Sequence, residues 1–250
     1  SRCSHSHPNL AQVPNLNAPF GKECRTLFRA DSKMDLLGVD VSSLELRCLS
    51  HYLAKYDGGA YGKLVLEEDI HTTNQKAAGL STRDQAKTFI YGFLYGAGNE
   101  KIGQIVGKGK AEGSRLKKEF LSKIPALKSL RDAVQKKAEM GFIKGLDGRK
   151  VPVRSSHSAL NTLLQSAGAI ICKRWVVEMH NLLEKEFKYG EDYRQVAFVH
   201  DEVQLTVKKE HAKRIGDLAV EAIAIAGERY SFRIPLTGEF KTGPNWATTH

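Results

Sequence analysis

VAFVHDEVQLTV, residues 196–207, is two apolar stretches joined by the acids Asp201 and Glu202. β-Branched and aromatic residues on either side of a polar turn read as a hairpin that presents carboxylates. LLGVDVS, residues 36–42, is a further buried strand, and it carries another acid, Asp40, near its end. Between these strand pieces the period changes. SLELRCLSHYLAKY reads as an amphipathic helix from residue 43 that stops at Asp57-Gly58-Gly59. A second helix is expected over 81–97, starting at Ser81-Thr82. Residues 101–141 look helical and basic, with breaks around Gly107, Gly113 and Pro125. GFIKGLDGRKVPVRS, 141–155, reads as a hairpin turning at Asp147-Gly148. A long apolar-faced helix follows at 158–187 and a further helix at 209–230. Residues 1–30, with Pro8, Pro14 and Pro19, read as loops and short extended pieces. Helices and strands mix without strict βαβ alternation, so the fold class is α+β.

The chain has 250 residues, 41% of them hydrophobic, which is enough for a sizeable core. No run of about 18 apolar residues suggests a membrane span, and SRCSHSHPNL lacks the apolar stretch of a signal peptide. Four irregularly spaced cysteines form no disulfide framework, so a reduced cytosolic protein is expected, with no membrane partner. The formal charge is +10, and residues 101–154 hold all of the excess, with 15 Lys or Arg against 5 Asp or Glu. A basic surface so concentrated favours a polyanion such as nucleic acid. The plain alternative is a solvated helical face rich in lysine.

Three constellations can carry chemistry. Asp40 is costly to bury unless paired or bound to a cation. Helix capping does not need it, because Ser42 with Glu45 three residues on fits a capping box. Asp201-Glu202 presents further oxygen ligands. Two carboxylate strands brought together could hold two Mg²⁺ ions for in-line phosphoryl transfer; an ordinary polar turn is the other reading. In RDQAKTFIYGFLYG, Arg83, Lys87, Tyr91 and Tyr95 are spaced four apart, so they form one slowly winding stripe on a helix. Two cations followed by two rings suit a polyphosphate joined to a sugar and base. An amphipathic helix with its tyrosines facing a core fits the same spacing.

In this order, the three pieces resemble motifs A, B and C of the family A (DNA polymerase I family) DNA polymerases, most of all those of short-tailed phages. DVSSLELRCL (40–49) resembles motif A, Arg83 to Gly96 motif B, and VHDEV (199–203) motif C. HPNLAQVP (7–14), GLDGRKV (145–151), NTLLQSAGA (161–169) and the terminal GPNWATTH extend the resemblance along the whole chain. The resemblance implies template-directed DNA synthesis with two Mg²⁺ ions. It implies a right-hand fold in which 1–69 and 156–250 form a palm with an antiparallel sheet and 70–155 form helical fingers. Asp40, Asp201 and the Val41 carbonyl match metal ligands, and Glu202 matches the second, less critical acid of motif C. His71, Arg83 and Lys87 match triphosphate-binding residues, with Lys87 also matching a proton donor to pyrophosphate. Tyr91 matches the residue that packs on sugar and base, and a Tyr there implies dideoxynucleotide acceptance. Glu45, supported by Tyr95, matches a gate against a ribose 2′-hydroxyl. Arg2, Asn161, Gln165 and His200 match contacts to primer-template DNA near the nascent pair.

Relative to the family pattern, the chain opens where the thumb has ended and has no room for a thumb or a 3′→5′ exonuclease domain. Residues 140–145 are also shorter than the matching phage region. A palm-and-fingers part is therefore expected, with a separate thumb or exonuclease part or a processivity factor as further partners. A phage-encoded chain would act in the host cytoplasm. Two rival readings are a single-subunit RNA polymerase, which Glu45 disfavours, and a DNA-binding fragment without catalysis.

Overall fold

The computed structural model describes residues 2–249; the terminal His250 of GPNWATTH lies outside them. In chain order the elements are α1 (Gly21–Thr26), β1 (Met34–Val41), α2 (Leu44–Asp57), α3 (Ala60–Glu67), α4 (Ile70–Ala78), α5 (Arg83–Leu94), α6 (Asn99–Gln104), α7 (Lys110–Lys123), α8 (Pro125–Ala138), β2 (Phe142–Lys144), β3 (Lys150–Pro152), α9 (Ala159–Leu183), β4 (Tyr193–Val199), β5 (Glu202–Lys208), α10 (Ala212–Arg229) and β6 (Gly238–Gly243). The mixed helix-and-sheet fold expected from the sequence is present. No helix among the described residues is long and apolar enough to cross a membrane.

The chain divides into two compact units, residues 1–44 with 168–250, and residues 45–167. The first is built on an antiparallel sheet of order β4-β5-β1-β6. Strand alternation separates its two faces. Leu37 pairs with Leu205, and Val39 pairs with Val203 on one side and Phe240 on the other. Leu37, Val39, Val203 and Leu205 are fully buried. α10 covers this face. Gly216 lets it come close, since a Cβ there would run into the Phe240 ring. Trp175 of α9 is fully buried and donates its indole N–H to the Ala219 carbonyl of α10 at 2.8 Å. The opposite face of the sheet carries Asp40, Glu202 and Glu239, which are cross-strand neighbours.

The second unit is helical apart from the β2–β3 hairpin, which turns at Gly148 with φ +85°. Its core holds a three-ring cluster, Phe89 and Phe93 of α5 against Phe120 of α7. Thr82 caps α5 by accepting from the Gln85 amide at 3.2 Å, close to the start read from the sequence.

Three local expectations need correction. Gly113 does not break a helix. α7 runs through it, because the missing side chain lets the helix pass against the Asn99 carbonyl at the start of α6. Residues 21–26, expected to be loop, form α1, whose Gly21 sits against the Asn15 carbonyl where no side chain fits. Leu44 is the first residue of α2, after Ser43 at φ +51°, so Ser42 stands one residue ahead of the N-cap position.

Candidate functional site

The residues singled out from the sequence fall into two groups, one in each unit. In the first unit, β4 and β5 are joined by the two-residue loop His200-Asp201, closed by the pair Val199–Glu202. His200 has φ +63°. A positive φ at the first loop position matches the right-handed twist of a hairpin, and histidine enters that region more readily than most residues. The Val41 amide donates to the Asp201 carbonyl at 3.1 Å, and Asp40 pairs with Glu202. Backbone register alone therefore places Asp40 and Asp201 at the same end of adjacent strands.

Their environments differ. Asp40 is exposed and Asp201 half-buried. Burial pushes the Asp201 carboxyl above its usual range. Arg2 and His200 pull it back down, and Glu202 pushes it up. A carboxylate disfavoured by burial and by a neighbouring acid gains from a cation. The donors are all oxygen, which suits a hard divalent ion such as Mg²⁺. Among the described residues no three His, Cys, Asp or Glu side chains come together to hold a metal. Remaining ligands would be backbone, water or substrate oxygens, as Mg²⁺ commonly takes. The residues present fit the ion on that basis.

Glu202 is placed differently from the other acids. It is buried, and its Oε1 accepts from the Trp246 indole N–H at 2.7 Å and from Gln204 Nε2 at 2.6 Å. Glu239, beside Asp40 on β6, was not singled out from the sequence. Its place depends on pairing between strands almost 200 residues apart in the chain, a relation that no local pattern carries.

In the second unit, α5 carries the cation–ring stripe. Arg83 donates to Asp69 from Nε at 2.5 Å and from Nη2 at 3.1 Å. Asp69 is the N-cap of α4, accepting from the His71 amide at 3.2 Å and the Thr72 hydroxyl at 2.9 Å. The sequence reading missed Asp69, although an Asp just ahead of Ile70 is a recognisable cap. Lys87 is exposed one turn beyond Arg83. The His71 and Tyr91 rings lie 6.2 Å apart, and those of Tyr91 and Tyr95 6.3 Å apart. Burial, then the charges of Arg83 and Lys87, disfavour protonation of His71, with Asp69 opposing. The Tyr95 hydroxyl donates to Glu45 Oε1, and Gln165 Nε2 donates to the same oxygen at 3.1 Å. Arg83, Lys87, His71, Tyr91, Tyr95, Glu45 and Gln165 thus form one run of neighbours. Asn161 precedes Gln165 by four residues on α9, which puts both on one helix face.

Buried polar atoms are normally hydrogen-bonded, so exceptions are informative. Among the described residues such orphaned atoms are Arg25 Nη1, Tyr52 Oη, His71 Nδ1, Asn161 Oδ1 and His200 Nδ1. Three of these five, on His71, Asn161 and His200, belong to residues singled out from the sequence.

The chain is 49% identical over 276 aligned positions to the DNA-directed DNA polymerase of Escherichia phage T7 and 48% identical to that of Enterobacteria phage T3. Both matches cover 100% of this chain and 39% of the relative, so the chain spans well under half the length of these enzymes. The thermostable DNA polymerase I of Thermus aquaticus is 26% identical, over 98% of this chain and 31% of that protein. In three dimensions the chain resembles the POL domain of Pol1 from M. smegmatis, solved in complex with DNA primer-template and dNTP. The TM-score is 0.85 at 21% identity, covering 99% of this chain and 46% of that one. Since the model of DNA polymerase family A matches residues 1–248, the chain belongs to that family.

Proposed function

We propose that the chain is the palm and fingers of a template-directed DNA polymerase, adding deoxynucleotides to a primer 3′-hydroxyl. Residues 1–69 and 156–250 are assigned to the palm and 70–155 to the fingers. The observation that carries this reading is the stripe of Arg83, Lys87 and Tyr91 along α5, continued by contacts from Tyr91 through Tyr95 to Glu45 and Gln165. It offers cations for a triphosphate, rings that can pack on sugar and base, and a carboxylate beside the rings where a sugar edge would lie.

Arg83 and Lys87 bind the triphosphate as a guanidinium fork and a point charge. His71 helps to hold it. Lys87 also supplies a proton to the departing pyrophosphate. Tyr91 packs on sugar and base, and Glu45, held by Tyr95 and Gln165, closes the space a 2′-hydroxyl would need. Asn161, Gln165, His200 and Arg2 contact the primer-template, where minor-groove donors check pair geometry without reading sequence. Asp40, Asp201 and the Val41 carbonyl would hold two Mg²⁺ ions. Bound there, Mg²⁺ lowers the pKa of the attacking hydroxyl and offsets charge on the leaving group.

The basic stretch supports a sequence-independent grip on phosphates. Glu112, Glu119, Asp132 and Asp147 are engaged by arginines, whereas Lys118, Lys123, Lys128, Lys136 and Lys137 are exposed. Binding through such lysines weakens steeply with salt. The host cytoplasm is the compartment a phage enzyme of this kind implies.

Primer extension with dNTPs and Mg²⁺ tests the reading. Asp201→Asn should keep DNA binding and lose more than about 100-fold in extension, because even partners outside the ligand set change metal affinity or activity by 10–100-fold. Binding without extension by the unaltered chain, under any divalent metal, would instead identify a DNA-binding fragment. Preference for NTPs over dNTPs would identify an RNA-synthesising relative.

A further inference from the structure

The terminal GPNWATTH stretch and the second acid of VHDEV are unexplained by the roles above, and they meet. We infer that Glu202 is a positioning residue whose buried carboxylate anchors the C-terminal segment, through Trp246, on the sheet face that carries Asp40.

Four observations in the first unit converge on this. Glu202 Oε1 receives the Trp246 indole N–H and the Gln204 amide, as described above. Gln204 in turn accepts from the Thr249 hydroxyl at 2.9 Å, so two points of the segment are tied to neighbouring residues of β5. All four residues are buried. Gly38, two residues before Asp40 on β1, leaves room for the segment, because a Cβ there would run into the Thr249 carbonyl and the Gln204 amide. The segment is also stiffened from within and from behind. Asn245 and Thr248 form a reciprocal capping box, the Trp246 amide donates to the Phe28 carbonyl at 2.9 Å, and the Arg25 guanidinium lies 4.4 Å from the centre of the Trp246 ring.

A buried carboxylate needs donors, and an indole has one donor and no acceptor. An ionised acceptor makes that bond roughly twice as strong as a neutral one. The negative charge also favours the charged form of Arg25, whose burial alone opposes it. Glu202 sits next to Asp201, so anchoring it fixes the first residue of β5 and with it the end of the loop that presents Asp201. The effect on Asp201 matters for catalysis only if the polymerase reading holds; the anchor itself does not depend on that reading.

The test uses the whole chain, free of metal, labelled with 5-fluorotryptophan. The sequence has two tryptophans, so two ¹⁹F resonances are expected, and Trp246→Phe identifies one by deleting it. Glu202→Ala should raise the H₂O/D₂O isotope shift of the Trp246 resonance several-fold and leave that of fully buried Trp175 unchanged. Glu202→Gln keeps an oxygen acceptor and should restore most of the shielding. A Glu202→Ala that unfolds would expose Trp175 as well, and the Glu202→Gln result then decides. Trp246 as shielded in Glu202→Ala as in the parent would overturn the anchor. In primer extension Glu202→Gln should likewise recover most of the activity that Glu202→Ala loses. Equal losses in the two variants, with Trp246 still shielded in Glu202→Gln, would make Glu202 a metal ligand instead. If no variant or parent extends a primer, the polymerase reading fails and the fluorine result still decides the anchor.

Discussion

Asp69 holds the Arg83 guanidinium in a two-bond fork, through Nε at 2.5 Å and Nη2 at 3.1 Å. The fork matches the geometry by which arginine takes a phosphate, so Asp69 competes with any anion for Arg83. Hydrogen bonds from Arg83, then from Thr72, hold the Asp69 carboxyl well below the usual carboxylate range. A depressed pKa means that the pair is intact at neutral and mildly acidic pH and opens only once pH falls below that range. Asp69→Asn should therefore bind inorganic pyrophosphate several-fold more tightly at low salt. The helix cap is retained, since Asn caps as well as Asp. The gain should shrink as ionic strength rises, because both groups are exposed. Calorimetric titration with pyrophosphate checks it, and equal affinities in the two proteins would remove Arg83 from the anion site.

Glu45 is held by two donors, and they are not equivalent. Tyr95 lies at the end of α5, whereas Gln165 comes from α9. Losing a hydrogen bond to a charged group costs about 1.5–3 kcal/mol at most, and exposure of Tyr95 reduces this toward the factor of ten that 1.4 kcal/mol represents. Tyr95→Phe should raise the ratio of ribonucleotide to deoxynucleotide incorporation by about tenfold, the size of that weakened hold. Glu45→Ala should raise it further, because it removes the side chain that fills the space. Single-nucleotide incorporation with matched dNTP and NTP measures both ratios. An unchanged ratio in Glu45→Ala would show that something else excludes the 2′-hydroxyl.

Gly113 separates what a sequence states locally from what it does not. A glycine in a basic, weakly apolar stretch signals a break by propensity. Here it marks a close approach, with α7 passing the Asn99 carbonyl where any Cβ would collide with backbone. Backbone cannot give way as a flexible side chain can, so Gly113→Ala should destabilise the chain by about 1–3 kcal/mol, even though alanine is the better helix former. Urea unfolding checks the sign. A stabilised variant would mean that α6 and α7 shift apart at little cost. The same distinction runs through the rest of the molecule. β1, β4, β5 and the α5 stripe were legible because periods of two and of nearly four residues are local properties of the chain. So were the hairpin at Gly148 and the cap at Thr82. Glu239 beside Asp40, and Trp246 on Glu202, were not legible, because strand register and the path of the last residues bring distant segments together. Ser42 was misplaced by one residue because Ser43 takes a left-handed conformation that sequence alone does not announce.

Glu178 offers a prediction in which the sign of the pH effect is decisive. It is buried on α9, and its Oε1 accepts from Arg174 Nε at 2.7 Å and from Arg229 Nε of α10 at 3.0 Å. Burial pushes its carboxyl up, but the hydrogen bonds and charges of Arg174 and Arg229 outweigh burial and leave it below the ordinary value of 4.5. A folded pKa lower than the unfolded one means that the stabilisation is complete above about pH 4.5, the unfolded value, and is lost as pH falls through the folded one. Glu178→Gln keeps the shape and removes the charge, leaving two arginines with a neutral acceptor. Hydrogen bonds to charged groups are worth about 1.5–3 kcal/mol. Arg229 is largely exposed and its share is screened, so a loss of about 1–2 kcal/mol at pH 7 is expected. The parent loses this stabilisation in acid and the variant has none to lose, so the two stabilities should converge as pH drops below 4.5. Urea unfolding of both proteins at pH 7 and again in acid tests this. A gap that stays constant across the range would show that Glu178 contributes through packing and neutral hydrogen bonding, and that the two arginines gain nothing from its charge.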